Sequence, residues 1–204
     1  LLKELHIDDN TLVIFSSDNG PHHEGGHDPK FFDSNGPLRG IKGDLWEGGI
    51  RVPMIARWPG HVPLGKTNES PVYFADVLPT FAALGGGQAP AKIDGMDFSP
   101  ALFGSDQPAL FDRFMYWEYD KDGLQKQAAR WRNWKAVKAP HTKPAELFDL
   151  SNDVGEEHDV AAAHPDIAAK FNDFIRAART DSADWPIPPQ PSRSNKKKNI
   201  PAAL

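Results

Sequence analysis

Between residues 20 and 65 the chain carries ten glycines and six prolines. At that density neither a long helix nor a long strand persists, because glycine leaves the backbone unrestrained and proline removes a donor. Yet the stretch is rich in aromatic and charged side chains, among them Phe31, Phe32, Arg39, Lys42, Trp46, Glu47 and Arg51. A flexible linker lacks these. Structureless segments of such length inside a compact domain are uncommon and usually functional. The segment therefore reads as an ordered active-site or binding loop.

The flanks give it a scaffold. Residues 1–10 read as the last turns of a helix, with Leu1, Leu2 and Leu5 on one side. The run TLVIF at 11–15 is short, apolar and β-rich, as in a strand buried on both faces of a parallel sheet under helices. It stops at SSDNGP, residues 16–21. Residues 50–58 return to β character and end at Pro59-Gly60. Residues 73–84 have helical spacing closed by Gly85-Gly86-Gly87. Residues 113–119, 131–138 and 145–150 are strand candidates spaced for an antiparallel meander. Residues 165–179 form an amphipathic helix carrying Ile167, Ala168, Phe171, Phe174 and Ile175. From Pro186 onward a Pro- and Lys-rich tail reads as disordered. No internal repeat is evident. The division expected is 1–110, 111–184 and a tail over 185–204.

Composition removes several function classes. There is no cysteine in the 204 residues, so disulfides, thiolate zinc sites, iron–sulfur clusters and a thiol nucleophile are excluded within them. No apolar run approaches the ~18 residues of a membrane helix. The net charge is −5, and the four basic residues of the tail, Arg193, Lys196, Lys197 and Lys198, leave −9 on residues 1–184. A body that acidic is a poor partner for nucleic-acid phosphates. The chain begins Leu-Leu-Lys without a visible signal peptide, so its start reads as the middle of something longer.

Three groups of residues carry candidate chemistry. Asp18 and Asn19 directly follow the first strand, where ligands bind in open α/β sheets. A carboxylate and an amide oxygen are hard donors suited to Ca²⁺ or Mg²⁺; the same string is also good Asx-turn sequence. His23-Glu24-Gly25-Gly26-His27 matches the HExxH string of zinc peptidases, which works only when a helix sets both imidazoles on one face. Two glycines cost such a helix about 2 kcal/mol, and Pro21 and Pro29 leave it no room, so the match reads as accidental. Lys42 sits among glycines that let a cation approach an anion closely, and its three donors suit a tetrahedral oxyanion. A solvated surface lysine is the competing reading. Glu47 and Arg51, four apart, read as an internal ion pair shaping the loop.

Taken in order, TLVIFSSDNGP at 11–21, SNGPLRGIKG at 34–43 and WEGGIRVP at 46–53 resemble the formylglycine-dependent sulfatases, with WPG at 58–60, DVLPT at 76–80, ELFDL at 146–150 and Glu156-Glu157 extending the likeness. It covers residues 1–180. The resemblance implies an α/β fold: part of an alkaline-phosphatase-like mixed sheet with flanking helices, plus a small C-terminal antiparallel sheet with a packed helix. It implies that Asp18 and Asn19 ligate a divalent cation, usually Ca²⁺, that Lys42 contacts the sulfate ester, and that His22 or His23 lines the substrate pocket. It further implies a sulfated glycan or aryl sulfate as substrate, and a periplasmic or secreted location.

The chain departs from the family pattern where the nucleophile belongs. Formylglycine is made from Cys or Ser in a C/S-x-P-S-R motif, and the one x-P-S-R here starts from Pro189, which has no convertible side chain. The early Asp-Asp metal pair is absent too. The expectation is a C-terminal portion of a sulfatase, inactive alone, with formylglycine in an N-terminal part outside these residues. A phosphate or phosphonate ester hydrolase of the same superfamily and a non-catalytic binding module are the other readings.

Overall fold

The computed structural model describes residues 1–121 and 124–186. Most of the expected tail, from residue 187, lies outside the described residues. The chain is a mixed α/β structure containing a two-stranded sheet, a four-stranded antiparallel sheet and helices.

Strand β1 (Val13–Ser16) pairs antiparallel with β2 (Met54–Arg57), Phe15 opposite Ile55. This corrects the expectation of a parallel partner for the strand. One face, through Leu12, Ile14 and Ala56, packs on Phe98, Leu102 and Leu110, while Phe15 is 66% and Ile55 65% exposed. An unbroken apolar run specifies a strand, but not the direction of its partner. Residues 1–10 are also corrected: they form turns and one 3-10 turn at Asp8–Asn10, with His6 in the left-handed region at φ 55°. A helix that short depends on packing, and Leu1 and Leu5 remain exposed.

The predicted second strand is shortened to β2, because residues Glu47–Ile50 coil into the single turn α1. The predicted helix at 73–84 is a 3-10 turn, Phe74–Asp76, followed by α2 (Val77–Leu84). Buried Asp76 receives the Tyr73 and Met96 N–H groups and pairs with Arg113 through both carboxylate oxygens. Two short helices, α3 (Ser99–Leu102) and α4 (Pro108–Asp112), lead into the meander.

The meander has four strands where three were expected: β3 (Phe114–Lys121), β4 (Leu124–Trp131), β5 (Trp134–Lys138) and β6 (Glu146–Asp149), in that spatial order. The predicted strand at 131–138 in fact crosses the β4–β5 turn, where Arg132 takes φ 54°. Helix α5 (Pro165–Ala178) matches its prediction closely. Period-2 alternation then assigns both faces of the sheet. Ala129, Ala136 and Leu147 meet Phe171 and Ile175 of α5. Their neighbours Ala128, Val137 and Phe148 meet Leu45, Trp46 and Ile50 of the glycine-rich segment. The meander is thus the floor on which that segment rests.

Candidate active site

Close backbone contact fixes the end of β1. The Gly20 N–H donates to Gly49 O at 2.9 Å, and the Gly48 N–H to Arg39 O at 2.7 Å. A Cβ on Gly20 would lie 1.8 Å from Gly48 O, and one on Gly48 would lie 2.3 Å from Gly40 O. Only hydrogen fits at either position. Three stretches of chain therefore interlock: 18–21, 39–44 and 47–50. The Lys42 N–H donates to Pro21 O at 2.9 Å, which ties the lysine loop to the turn bearing Asp18 and Asn19.

Beside this clamp opens a cavity of about 730 Å³, with Asp18, Asn19, His22, His27 and Arg51 on its wall. Asp18 is exposed and makes no hydrogen bond among the described residues. Asn19 donates from Nδ2 to Gly20 O at 2.8 Å, leaving Oδ1 as an acceptor. His22 accepts at Nδ1 from the Glu24 N–H at 3.0 Å. His23, predicted alongside it, is not on the wall; His27 is. Lys42 is also set back from the cavity wall. Its ammonium donates to both oxygens of Glu24, at 3.1 and 2.9 Å. That hydrogen bond raises the Lys42 pKa above the ordinary lysine value, and the charge of Asp18 adds to the effect.

The HExxH string does not form a zinc site. Glu24–Gly26 is a 3-10 turn with Gly25 at φ 69°, and His27 is extended at φ −70°, ψ 137°. Among the described residues, no group of three His, Asp or Glu side chains is placed to hold a metal ion.

Beneath the loop lies an ionic network that the sequence did not reveal. Glu47 is buried, and its carboxylate accepts from Lys135 at 2.9 Å and Arg130 at 3.2 Å. Arg51, the predicted partner, is the most distant of the three at 3.9 Å. The Glu47 N–H donates to Glu156 Oε2 at 2.6 Å. Burial works to raise the Glu47 pKa, but the charges of Lys135 and Arg130 outweigh it and hold the carboxyl below its usual range. At Glu156 burial wins, and its pKa is pushed up against the pull of Lys135. Arg39 donates to Glu156 O at 2.6 Å and lies 4.1 Å over the Trp46 ring. Lys126 of β4 donates to Asp44 at 2.8 Å and Gly43 O at 3.0 Å. Strand β4 thereby grips one end of the lysine loop, and Glu156, beyond β6, the other.

Residues 1–87 match the family model described as Sulfatase. Human arylsulfatase A is 33% identical over 211 residues, covering 88% of this chain. The chain belongs to the sulfatase family. Mouse steryl-sulfatase is 41% identical over 140 residues, 67% of this chain and 22% of that sulfatase. The crystal structure of Ps i-CgsB in complex with k-i-k-neocarrahexaose superposes with TM-score 0.75 at 36% identity, covering 87% of this chain and 38% of that one. The sulfatase sequence here spans 40% of the length of arylsulfatase A. Its mixed α/β architecture is that of the alkaline phosphatase superfamily to which sulfatases belong.

Proposed function

We propose that the complete protein is a sulfuric ester hydrolase acting on sulfated glycans, and that this chain is a C-terminal portion supplying part of its site. The carrying observation is the glycine clamp, which holds Asp18 and Asn19 beside the loop of Lys42, an ammonium that already binds a carboxylate. Sulfate ester cleavage builds charge on the sulfuryl and leaving oxygens. A fixed ammonium aimed there stabilises the transition state more than the ground state. Lys42, whose loop the clamp ties to the turn of Asp18 and Asn19, has that role in this reading, and His22, on the cavity wall, or its neighbour His23 contacts substrate.

Asp18 and the Oδ1 of Asn19 are hard oxygen donors that fit a divalent cation, Ca²⁺ or Mg²⁺, which when bound polarises sulfate oxygens. Ca²⁺ takes six to eight oxygens, so these two are a share of the shell and the remaining carboxylates come from elsewhere. The nucleophile, formylglycine by the family resemblance, also lies outside these residues. The 204 residues alone are therefore inactive and bind the cation weakly. Among the described residues no helix is long and apolar enough to cross a membrane, and a periplasmic or secreted location is part of this reading.

The test compares 4-nitrophenyl sulfate and 4-nitrophenyl phosphate hydrolysis by the complete protein, its Lys42→Ala variant and the 204-residue chain. Expected are a preference for the sulfate, a loss of roughly 100-fold or more in Lys42→Ala, and no turnover by the chain alone. Wild-type rates in Lys42→Ala would remove the lysine from the mechanism. Turnover by the chain alone would place the nucleophile within it.

A further inference from the structure

Two adjacent phenylalanines project from the glycine-rich segment into solvent, Phe31 at 79% and Phe32 at 61% exposure. They are not on a loose loop. Asp28 Oδ1 accepts from the Lys30 and Phe31 N–H groups at 3.0 and 3.4 Å, the Phe32 N–H donates to Asp28 O at 3.2 Å, and the Ser34 N–H to Pro29 O at 3.1 Å. The turn is built to present those rings.

The rings continue inward as a stack. Phe31 meets Phe32 edge to face at 4.9 Å, and Phe32 lies parallel to the His27 imidazole, at 5.1 Å and 1°. His27 is anchored by Ser34 Oγ, 3.3 Å from Nε2, and forms part of the cavity wall with Asp18 and Asn19. An aromatic surface therefore runs from open solvent to the cavity without interruption. Exposed apolar surface continuous with a polar cleft marks a ligand-binding surface.

We infer that Phe31 and Phe32 form a platform on which a pyranose ring of the substrate stacks, next to the sugar whose sulfate enters the cavity. This rests on the sulfate ester reading above. A pyranose offers an apolar C–H face with a rim of hydroxyls. The perpendicular rings offer an exposed aromatic face for the first, and the exposed polar side chains of Lys30, Asp33 and Ser34, in the same turn, are available to the second. A fused steroid nucleus would set apolar edges against those same groups. The platform reads the sugar, not the ester, so it governs affinity for the glycan and leaves affinity for the sulfate group unchanged.

Calorimetry on the complete protein tests this with two probes, an ι-carrageenan hexasaccharide and inorganic sulfate. Phe31→Ala/Phe32→Ala is expected to weaken oligosaccharide binding by about tenfold, roughly one aromatic stacking contact, and to leave sulfate binding unchanged. Phe31→Tyr, which keeps the ring, retains wild-type affinity for both. Lys42→Ala weakens both ligands. Unchanged oligosaccharide affinity in the double alanine variant, with both ligands weakened by Lys42→Ala, overturns the platform and leaves the sulfatase reading standing. Equal weakening of sulfate by the double variant also overturns it, since the rings would then act on the fold of the site. Failure of the wild type to bind either probe overturns both readings.

Discussion

Lys135 Nζ lies 2.9 Å from Glu47 Oε1, and the two side chains are 0% and 1% exposed. A buried ammonium is tolerated only when paired, and removing one partner of such a pair costs about 3–5 kcal/mol because the other charge is stranded. Lys135→Met is therefore expected to lower the thermal midpoint sharply. A second change, Glu47→Gln, made on top of it should add little or recover part of the loss, because it removes the carboxylate that the first change strands. Melts of the two single variants and the double variant check this by their non-additivity.

Tyr116 donates to Glu118 Oε2 at 2.6 Å and accepts from Gln127 at 2.9 Å. Burial first, and then the bond to Glu118, raise its pKa above the ordinary 10.0. The folded chain thus keeps this proton to higher pH than the unfolded chain. The resulting stability is complete below pH 10 and is lost progressively as pH rises above that value toward the raised pKa of the folded chain. Wild-type stability is expected to fall steadily above pH 10, while Tyr116→Phe loses about 1 kcal/mol at neutral pH and shows a shallower alkaline decline. Parallel declines in the two proteins would assign the alkaline loss to other groups.

Gly20→Ala places a methyl group within 1.8 Å of Gly48 O, a clash with backbone and not with a movable side chain. The substitution should cost about 1–3 kcal/mol and separate Asp18 from the lysine loop. Gly60→Ala, whose Cβ would meet nothing within 4 Å, is the comparison: it suffers only the strain of its positive φ. Circular dichroism melts of both, read beside activity of the complete protein, distinguish a broken clamp from general destabilisation.

How much of this was legible depended on how local each signal is. Helix α5 declares itself because its apolar residues recur every three or four positions and Pro165 starts it. The turn at Asp18 and Asn19 was equally plain, since the apolar run ends there abruptly. Strand β4 was missed because Gln125, Lys126, Gln127, Ala128 and Ala129 have weak intrinsic β preference; it is a strand because β3 and β5 pair with it on both sides. Lys135 was invisible for a similar reason. A lysine flanked by Trp134 and Ala136 reads as surface, and only the arrival of Glu47, 88 positions earlier in the chain, makes it core. The fourfold spacing of Glu47 and Arg51 points to the partner nearer in sequence, while the tighter ones come from strands β4 and β5.

The glycine clamp separates two kinds of change this molecule can undergo. Because main chain presses on main chain at Gly20 and Gly48, the offset between the backbones at Asp18 and Lys42 is set by backbone packing and hydrogen bonds and not by neighbouring side chains. The turn holding Phe31 and Phe32 hangs outside that contact. Swapping its aromatic residues alters which molecules are recognised without shifting the charged groups behind them. An engineer seeking a different glycan preference should therefore randomise residues 31 and 32, keep Ser34 as the anchor of His27, and leave every glycine of the clamp alone.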